Sequence, residues 1–249
     1  MAGNDLGAYQ YQGGGSGPGD DLGAYQYSTD ASSVAVGILG GIPAINLTTT
    51  AAEDFESNTL SDDYVGDDPA VFSIISDSNR GSNVLEYAPG SASDRLQFAD
   101  ENSHPAPTME RGQTYRVAVW DDKTYSGGGY LKVPVLVPSA ATKTYDNFDG
   151  YMFELSSSGP EIRLHVVSGG TRTTTKTSDI GSFTTGAYHE AELRLDTPST
   201  AADTIEAELF DETGTSMGTV SVTDTSYSSG VFGFGGYRAT LRFDDLRAV

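Results

Sequence analysis

Thr114-Tyr-Arg-Val-Ala-Val-Trp120 alternates between two kinds of side chain with a period of two, and so do Glu161-Ile-Arg-Leu-His-Val-Val167, Glu190-Ala-Glu-Leu-Arg-Leu-Asp196 and Thr204-Ile-Glu-Ala-Glu-Leu-Phe210. Successive side chains of an extended chain point to opposite faces, so each segment has the pattern of a half-buried strand. Working outward, similar candidates lie near 53–57, 70–75, 84–88, 94–98, 129–137, 150–155, 171–178, 216–223, 230–237 and 240–248, bounded by Gly, Asp, Asn, Ser and Pro. Nowhere does an apolar stripe persist at helical spacing. About fourteen short strands predict an all-β sandwich over residues 51–249.

The rest of the composition bounds what such a domain can do. The 249 residues are 37% hydrophobic and contain no cysteine, which excludes disulfides, thiolate metal sites and cysteine nucleophiles. Three isolated histidines, His104, His165 and His189, argue against a zinc centre. A formal charge of −21, from 35 acidic against 14 basic residues, makes nucleic acid a poor partner. Such a surface repels itself at low salt, but screening shortens the interaction to ~3 Å in 1 M salt. With only four lysines among the basic residues, the composition reads as that of a halophile's protein. The longest apolar stretch, Val34 to Leu47, is broken by Gly37, Gly40, Gly41 and Pro43 and is too short for a membrane-spanning helix, so no membrane insertion is expected. Met1 to Asp5 lacks the basic region and apolar run of a signal peptide.

Three segments carry a family resemblance. Glu53-Asp-Phe-Glu-Ser57, Gly81-Ser-Asn-Val-Leu-Glu-Tyr87 and Leu241-Arg-Phe-Asp-Asp-Leu-Arg247 together resemble the concanavalin A-like lectin/glucanase family over roughly residues 51–249. The resemblance implies a concanavalin A-like jelly-roll β-sandwich with its first and last strands side by side. It also implies a structural Ca²⁺ held by the carbonyls of Asp54 and Gly81 and the side chain of Asp244, hard oxygen ligands that suit this ion. The residues alone leave the alternative that Asp244 and Asp245 form a turn or meet Arg242 and Arg247. Retaining endoglucanases of this superfamily carry a Glu-x-Asp-x-(x)-Glu cluster, because nucleophile and acid must stand ~5–5.5 Å apart. This sequence departs from the pattern. Glu154 and Glu161 are isolated, no nucleophile motif surrounds His189, and no enzyme activity is expected.

Binding is what remains. The alternation of 114–120 places Arg116, Ala118 and Trp120 on one face, and an indole on a polar face is a stacking platform for a sugar ring. The face of 161–167 opposite Ile162, Leu164 and Val166 presents Arg163 and His165, donors for sugar hydroxyls or partners for an acidic glycan. Trp120, Arg116, Arg163 and His165 are therefore the candidate carbohydrate-binding residues. The alternatives are that Trp120 packs under the 122–130 loop and that Arg163 and His165 form a solvated face.

Residues 1–50 have a different texture. Asp5-Leu-Gly-Ala-Tyr-Gln-Tyr11 recurs as Asp21-Leu-Gly-Ala-Tyr-Gln-Tyr27 across the glycine-rich linker 13–19. Two identical heptads on a tether read as two pegs, with Tyr9, Tyr11, Tyr25 and Tyr27 as assembly residues. In this layout the chain resembles tailed-virus adhesins and decoration proteins. The expectation is a virion structural protein of a halophile virus (turret, spike, fibre or decoration). Its arm would engage capsid or tail proteins, its head would bind host surface glycans or a glycosylated surface layer, and symmetric homo-oligomers would follow from virion symmetry. The heptad also resembles the Asp-Ile-Gly-Ala-Tyr-Glu-Tyr signature that closes many extracellular parallel β-helix proteins. The alternative is thus a carboxy-terminal lectin-like module of a secreted halophile adhesion or glycan-processing protein, at an extracellular rather than a virion-surface location.

Overall fold

The computed structural model describes residues 52–249 apart from 57–59, 91–92, 123–128, 139–142, 157–158 and 196–203. The arm with Tyr9, Tyr11, Tyr25 and Tyr27 and the apolar stretch 34–47 lie outside the described residues. Among the described residues sixteen strands form two large antiparallel sheets and one ribbon. The first sheet runs in the order Tyr64–Gly66 (β1), Asp94–Ala99 (β4), Gly233–Tyr237 (β15), Tyr130–Val135 (β7), Gly150–Ser156 (β8), Glu161–Ser168 (β9) and Thr171–Asp179 (β10). The second runs Ser216–Thr223 (β13), Thr204–Phe210 (β12), Tyr188–Leu195 (β11), Gln113–Asp121 (β6), Leu241–Ala248 (β16), Ser82–Tyr87 (β3) and Phe72–Asp77 (β2). Thr108–Glu110 (β5) and Ser229–Val231 (β14) make the ribbon.

Register fixes which side chains enter the core. Between β7 and β8, Leu131, Val133 and Val135 oppose Leu155, Phe153 and Tyr151 on the inner face, while Lys132 opposes Glu154 on the outer face. On the second sheet Val117 and Val119 of β6, Ala191 and Leu193 of β11, and Leu241 and Phe243 of β16 are buried inward. A slip of one residue would exchange these faces, so the buried row specifies the pairing. Close approach of backbones is built into β15: a Cβ on Gly235 would lie 2.0 Å from the Arg95 carbonyl oxygen of β4.

The period-two reading identifies twelve of the strands closely, and two of its segments come out differently. Glu53–Ser57 makes a single bridge, Glu53 to Leu246, and Phe55 turns the chain at φ 58°. That bridge still places the start of the domain beside β16, as the resemblance implies. Segment 230–237 divides at Phe232 into β14 and β15. The three-residue strands β1 and β5 are too short to show alternation. β10 is an edge strand, and its bulge between Arg172 and Thr174 and its Lys176 guard the edge against pairing with other chains.

Candidate functional site

The four candidate sugar-binding residues fall on two different surfaces. Arg163 and His165 lie on the outer face of the first sheet, whereas Arg116 and Trp120 lie on the outer face of the second. Strand alternation assigns a side chain to a face of its own strand, but not which sheet the strand joins.

On the first sheet Arg163 and His165 of β9 surround a carboxylate. Glu154 is fully buried, with Arg163 Nη1 2.7 Å from its Oε1 and Arg172 Nη2 2.8 Å from its Oε2. Lys132 Nζ stands 4.0 Å from Glu154 Oε2, is itself buried, and also pairs with Asp94. Burial alone would raise the Glu154 pKa; the nearby His165 ring, 3.8 Å away, and the positive charges of Lys132 and Arg172 overcome it and bring the group down to about 2. His165 bonds Thr175 Oγ1 through Nδ1 at 2.9 Å, and burial lowers its pKa, so the ring is neutral at pH 7. Burial lowers the Lys132 pKa too, against the pull of Asp94 and Glu154.

Above this buried charge lies a half-exposed layer of rings and guanidiniums. Tyr130 of β7 and Tyr237 of β15 are cross-strand partners, with ring centroids 6.0 Å apart and planes inclined by 30°. The Arg163 guanidinium stands 5.1 Å from the Tyr130 ring centroid, and the Arg238 guanidinium 4.8 Å from that of Tyr237. Glu161 holds the second arm of Arg163, and Thr177 lies beside Arg163 on β10. Flat aromatic surface, planar donors and hydroxyls in one layer are suited to a sugar, which offers an apolar ring face and a rim of hydroxyls. Of this layer the sequence indicated Arg163. It missed Tyr130 and Tyr237 because only the β15–β7 pairing joins residues 107 positions apart.

On the second sheet the predicted face is a ladder of ion pairs. Arg116 binds Glu190 at 2.9 Å and Glu192 at 2.6 Å, and Arg194 reaches Glu192 and Glu208. Trp120 is half-buried beneath the Arg242 guanidinium, 4.4 Å from its ring centroid, so that ring face is occupied. Arg242 in turn is held by Asp77 at 2.8 Å and Glu86 at 3.0 Å.

Asp54, Gly81 and Asp244 meet one another's elements where 53–56, β3 and β16 run together. Glu56 accepts from the Asn83 amide at 2.6 Å, and Asp54 accepts from the Glu56 amide at 3.1 Å. The Asp244 carboxylate, however, is served by donors: Arg80 Nε at 2.9 Å and the Ser82 hydroxyl at 3.1 Å. Arg80 Nη2 also binds Asp245, at 2.7 Å. Both donors take Oδ2, so a calcium ion bound through the Asp244 carboxylate would stand beside the Arg80 positive charge. As arranged, the Asp244 carboxylate serves the Arg80 guanidinium. Among the described residues no cluster of three or more His, Asp or Glu side chains could hold a metal ion.

No protein-family model matches the chain, and no curated protein matches it in sequence. Solved structures do match in shape. A carbohydrate-binding module, CBM66 from Bacillus subtilis, superposes with a TM-score of 0.51 at 11% identity, covering 80% of this chain and 95% of that one. The β-glucanase of Bacillus licheniformis gives 0.51 at 10% identity over 80% and 97% of the two chains. A legume lectin-like domain from Entamoeba histolytica gives 0.50 at 11% identity over 76% and 91%. The described domain therefore has the concanavalin A-like jelly-roll fold. Likeness at this identity establishes fold, and the fold hosts both binding proteins and hydrolases.

Proposed function

We propose that residues 52–249 are a non-enzymatic glycan-binding module whose sugar-facing surface is the outer face of the first sheet. The observation that carries this reading is the state of Glu154. Beside Arg163, which stacks on Tyr130, it is sealed from solvent and held ionised by Lys132, Arg163 and Arg172. A general acid must hold its proton near working pH, and a nucleophile must reach the substrate. Glu154 does neither, and Glu161 is tied to Arg163. Binding without turnover is the chemistry left to the surface above them.

In the chain as a whole we take this module to be the displayed head of a halophile virion structural protein, fixed to capsid or tail by the duplicated heptads of the arm. What supports this is the pairing of a lectin-like fold with a repeated Tyr-bearing arm and a charge of −21. The heptad's likeness to the closing signature of extracellular β-helix proteins favours a secreted adhesion module as the second reading. Genes for capsid or tail beside this one would support the first reading, and a secreted β-helix partner the second.

The test is binding of the full chain, in 2 M NaCl, to envelopes of candidate halophilic hosts before and after periodate oxidation of their glycans. Saturable binding that oxidation abolishes, and that Tyr130→Ala and Tyr237→Ala each weaken about tenfold, is the expected result. Binding indifferent to both variants would remove this face from the account, and sugar release from a β-glucan would overturn the non-enzymatic reading.

A further inference from the structure

Around the tyrosine pair on the outer face of the first sheet, three of the four cations are consumed by carboxylates. Lys132 pairs with Asp94 and Glu154, Arg163 with Glu154 and Glu161, and Arg172 with Glu154. Arg238 is the fourth. Among the described residues it has no carboxylate within ion-pair distance, and its Nε has no hydrogen-bond partner. In a chain with 35 acidic residues against 14 basic ones, a guanidinium left without an acid is unexpected on charge alone.

The backbone is bent to place it there. β15 ends at Tyr237, and continued alternation would send the next side chain to the opposite face of the sheet. Instead Arg238 has φ 68°, and the Ala239 amide donates to the Tyr237 carbonyl oxygen at 2.9 Å, two residues back. A turn of this kind at positive φ is rare, and strained for a residue other than glycine. It sets the half-exposed Arg238 with its guanidinium over the Tyr237 ring, 4.8 Å from the centroid. Stacking fixes the plane of the group and leaves its edge, a rigid fork of N–H donors, for a planar anion.

The local charge agrees. Lys132, Arg163, Arg172 and Arg238 stand against Asp94, Glu154 and Glu161, an excess of one positive charge within a chain of −21. An anion meets repulsion over most of this protein, but here it meets an uncommitted guanidinium beside two tyrosine rings.

We propose that Arg238 selects an anionic sugar, a uronate whose carboxylate lies on the edge of the guanidinium and whose ring lies in the Tyr130–Tyr237 layer. The proposal rests on the glycan-binding reading of this face and adds the class of sugar and the residue that selects it. A carboxylate offers two coplanar oxygens to the fork. A neutral hexose offers the same hydroxyls without them, so the carboxylate decides the preference.

The experiment is calorimetric titration of the full chain with oligomers of D-glucuronate, D-galacturonate and D-mannuronate, each beside its carboxyl-reduced counterpart. In 0.5 M NaCl, screening confines the repulsion from the rest of the surface to less than ~8 Å. At least one uronate should bind tenfold or more tightly than its reduced counterpart, the order expected of a charge-assisted pair. Arg238→Gln should bring that ratio close to one, and Arg238→Lys, which keeps the charge but not the fork, should preserve it only in part. Tyr130→Ala should weaken acid and neutral sugars together and leave the ratio standing. A ratio that survives Arg238→Gln would overturn the role of Arg238, and dextran sulfate binding as tightly as the uronate would overturn the assignment to a carboxylate. A ratio near one in the wild type, with binding still lost in Tyr130→Ala, would overturn the selection and leave the glycan-binding face in place. Absence of binding by all six oligomers would overturn the uronate assignment, and the envelope assay then tells separately whether the face binds another glycan.

Discussion

Replacing Glu154 by Gln removes one charge from a fully buried cluster and keeps its shape. In the folded protein Glu154 has a pKa of about 2, against 4.5 for an unperturbed glutamate. A depressed carboxylate stabilises the fold above its unfolded pKa, and that contribution disappears as the pH falls through the folded value. The gap of roughly 2.5 units corresponds to about 3 kcal/mol at pH 7, at ~1.4 kcal/mol per unit. In a domain of this size that lowers the melting temperature by roughly 6–12 °C. The distinguishing feature is the pH dependence of the difference between the two proteins. Other carboxylates titrate in both and cancel, so the cost of Glu154→Gln should be constant from pH 7 to about 5 and shrink toward zero between about 4.5 and 2. Urea unfolding of both proteins at pH 7, 5, 3.5 and 2.5 measures it. A cost that stays the same across that range would show that the carboxylate is not held ionised by its cations. It would also withdraw the argument that Glu154 cannot act as an acid.

The same clusters yield further expectations. Arg80→Ala leaves Asp244 and Asp245 without their shared cation and should cost about 2 kcal/mol by loss of charge-assisted hydrogen bonds; 10 mM CaCl₂ should raise the variant's melting temperature but not the wild type's, and a calcium response of the wild type would refute the fit of Arg80 to that place. Gly235→Ala drives a Cβ to 2.0 Å from a carbonyl oxygen of β4 and should cost about 3 kcal/mol or more, whereas Gly112→Ala, with open space around it and φ 80°, should cost about 1 kcal/mol, both read by chemical denaturation. The protein has a single tryptophan, so Arg242→Ala, which uncovers the Trp120 ring, should red-shift its fluorescence emission; an unchanged spectrum would mean that Arg242 does not cover the indole.

Much of the fold was legible because burial repeats at every second residue. Ala191, Leu193 and Leu195 of β11 are buried, and so are Ile205, Ala207 and Leu209 of β12, as their alternation demands. The site was legible only in fragments. Arg163 and Trp120 were assigned to polar faces correctly, but pairing across long sequence separations decided that these faces are different ones. The same limit hid Lys132: Tyr130-Leu-Lys-Val-Pro-Val135 reads as a strand, yet only its register with β8 sets the lysine opposite Glu154. The alternation sets Trp120 on a polar face and leaves open whether its ring is free or packed, and Arg242, 122 residues away, covers it. Of the three expected calcium ligands only Asp244 would act through its side chain, and local sequence does not reveal that Arg80 turns toward it.

The arginines also explain how so acidic a chain holds its sheets together. Arg116, Arg194, Arg242 and Arg247 each bind at least two carboxylates. A planar guanidinium with five donors can bridge carboxylates on neighbouring strands, which a lysine ammonium does less well. With 35 acidic residues against 14 basic ones, however, most carboxylate repulsion has no cation to offset it. Salt therefore acts on two populations in opposite ways: it screens the unpaired surface repulsion and weakens exposed pairs, but it hardly reaches Glu154. Total stability should rise between 0.1 and 2 M NaCl because the repulsive population is the larger. The difference between wild type and Glu154→Gln should stay the same over that range. A wild type that loses stability with added salt would show that the exposed arginine pairs, and not the unpaired carboxylates, dominate the surface. A difference that collapses with salt would place Glu154 within reach of solvent ions and so contradict its burial.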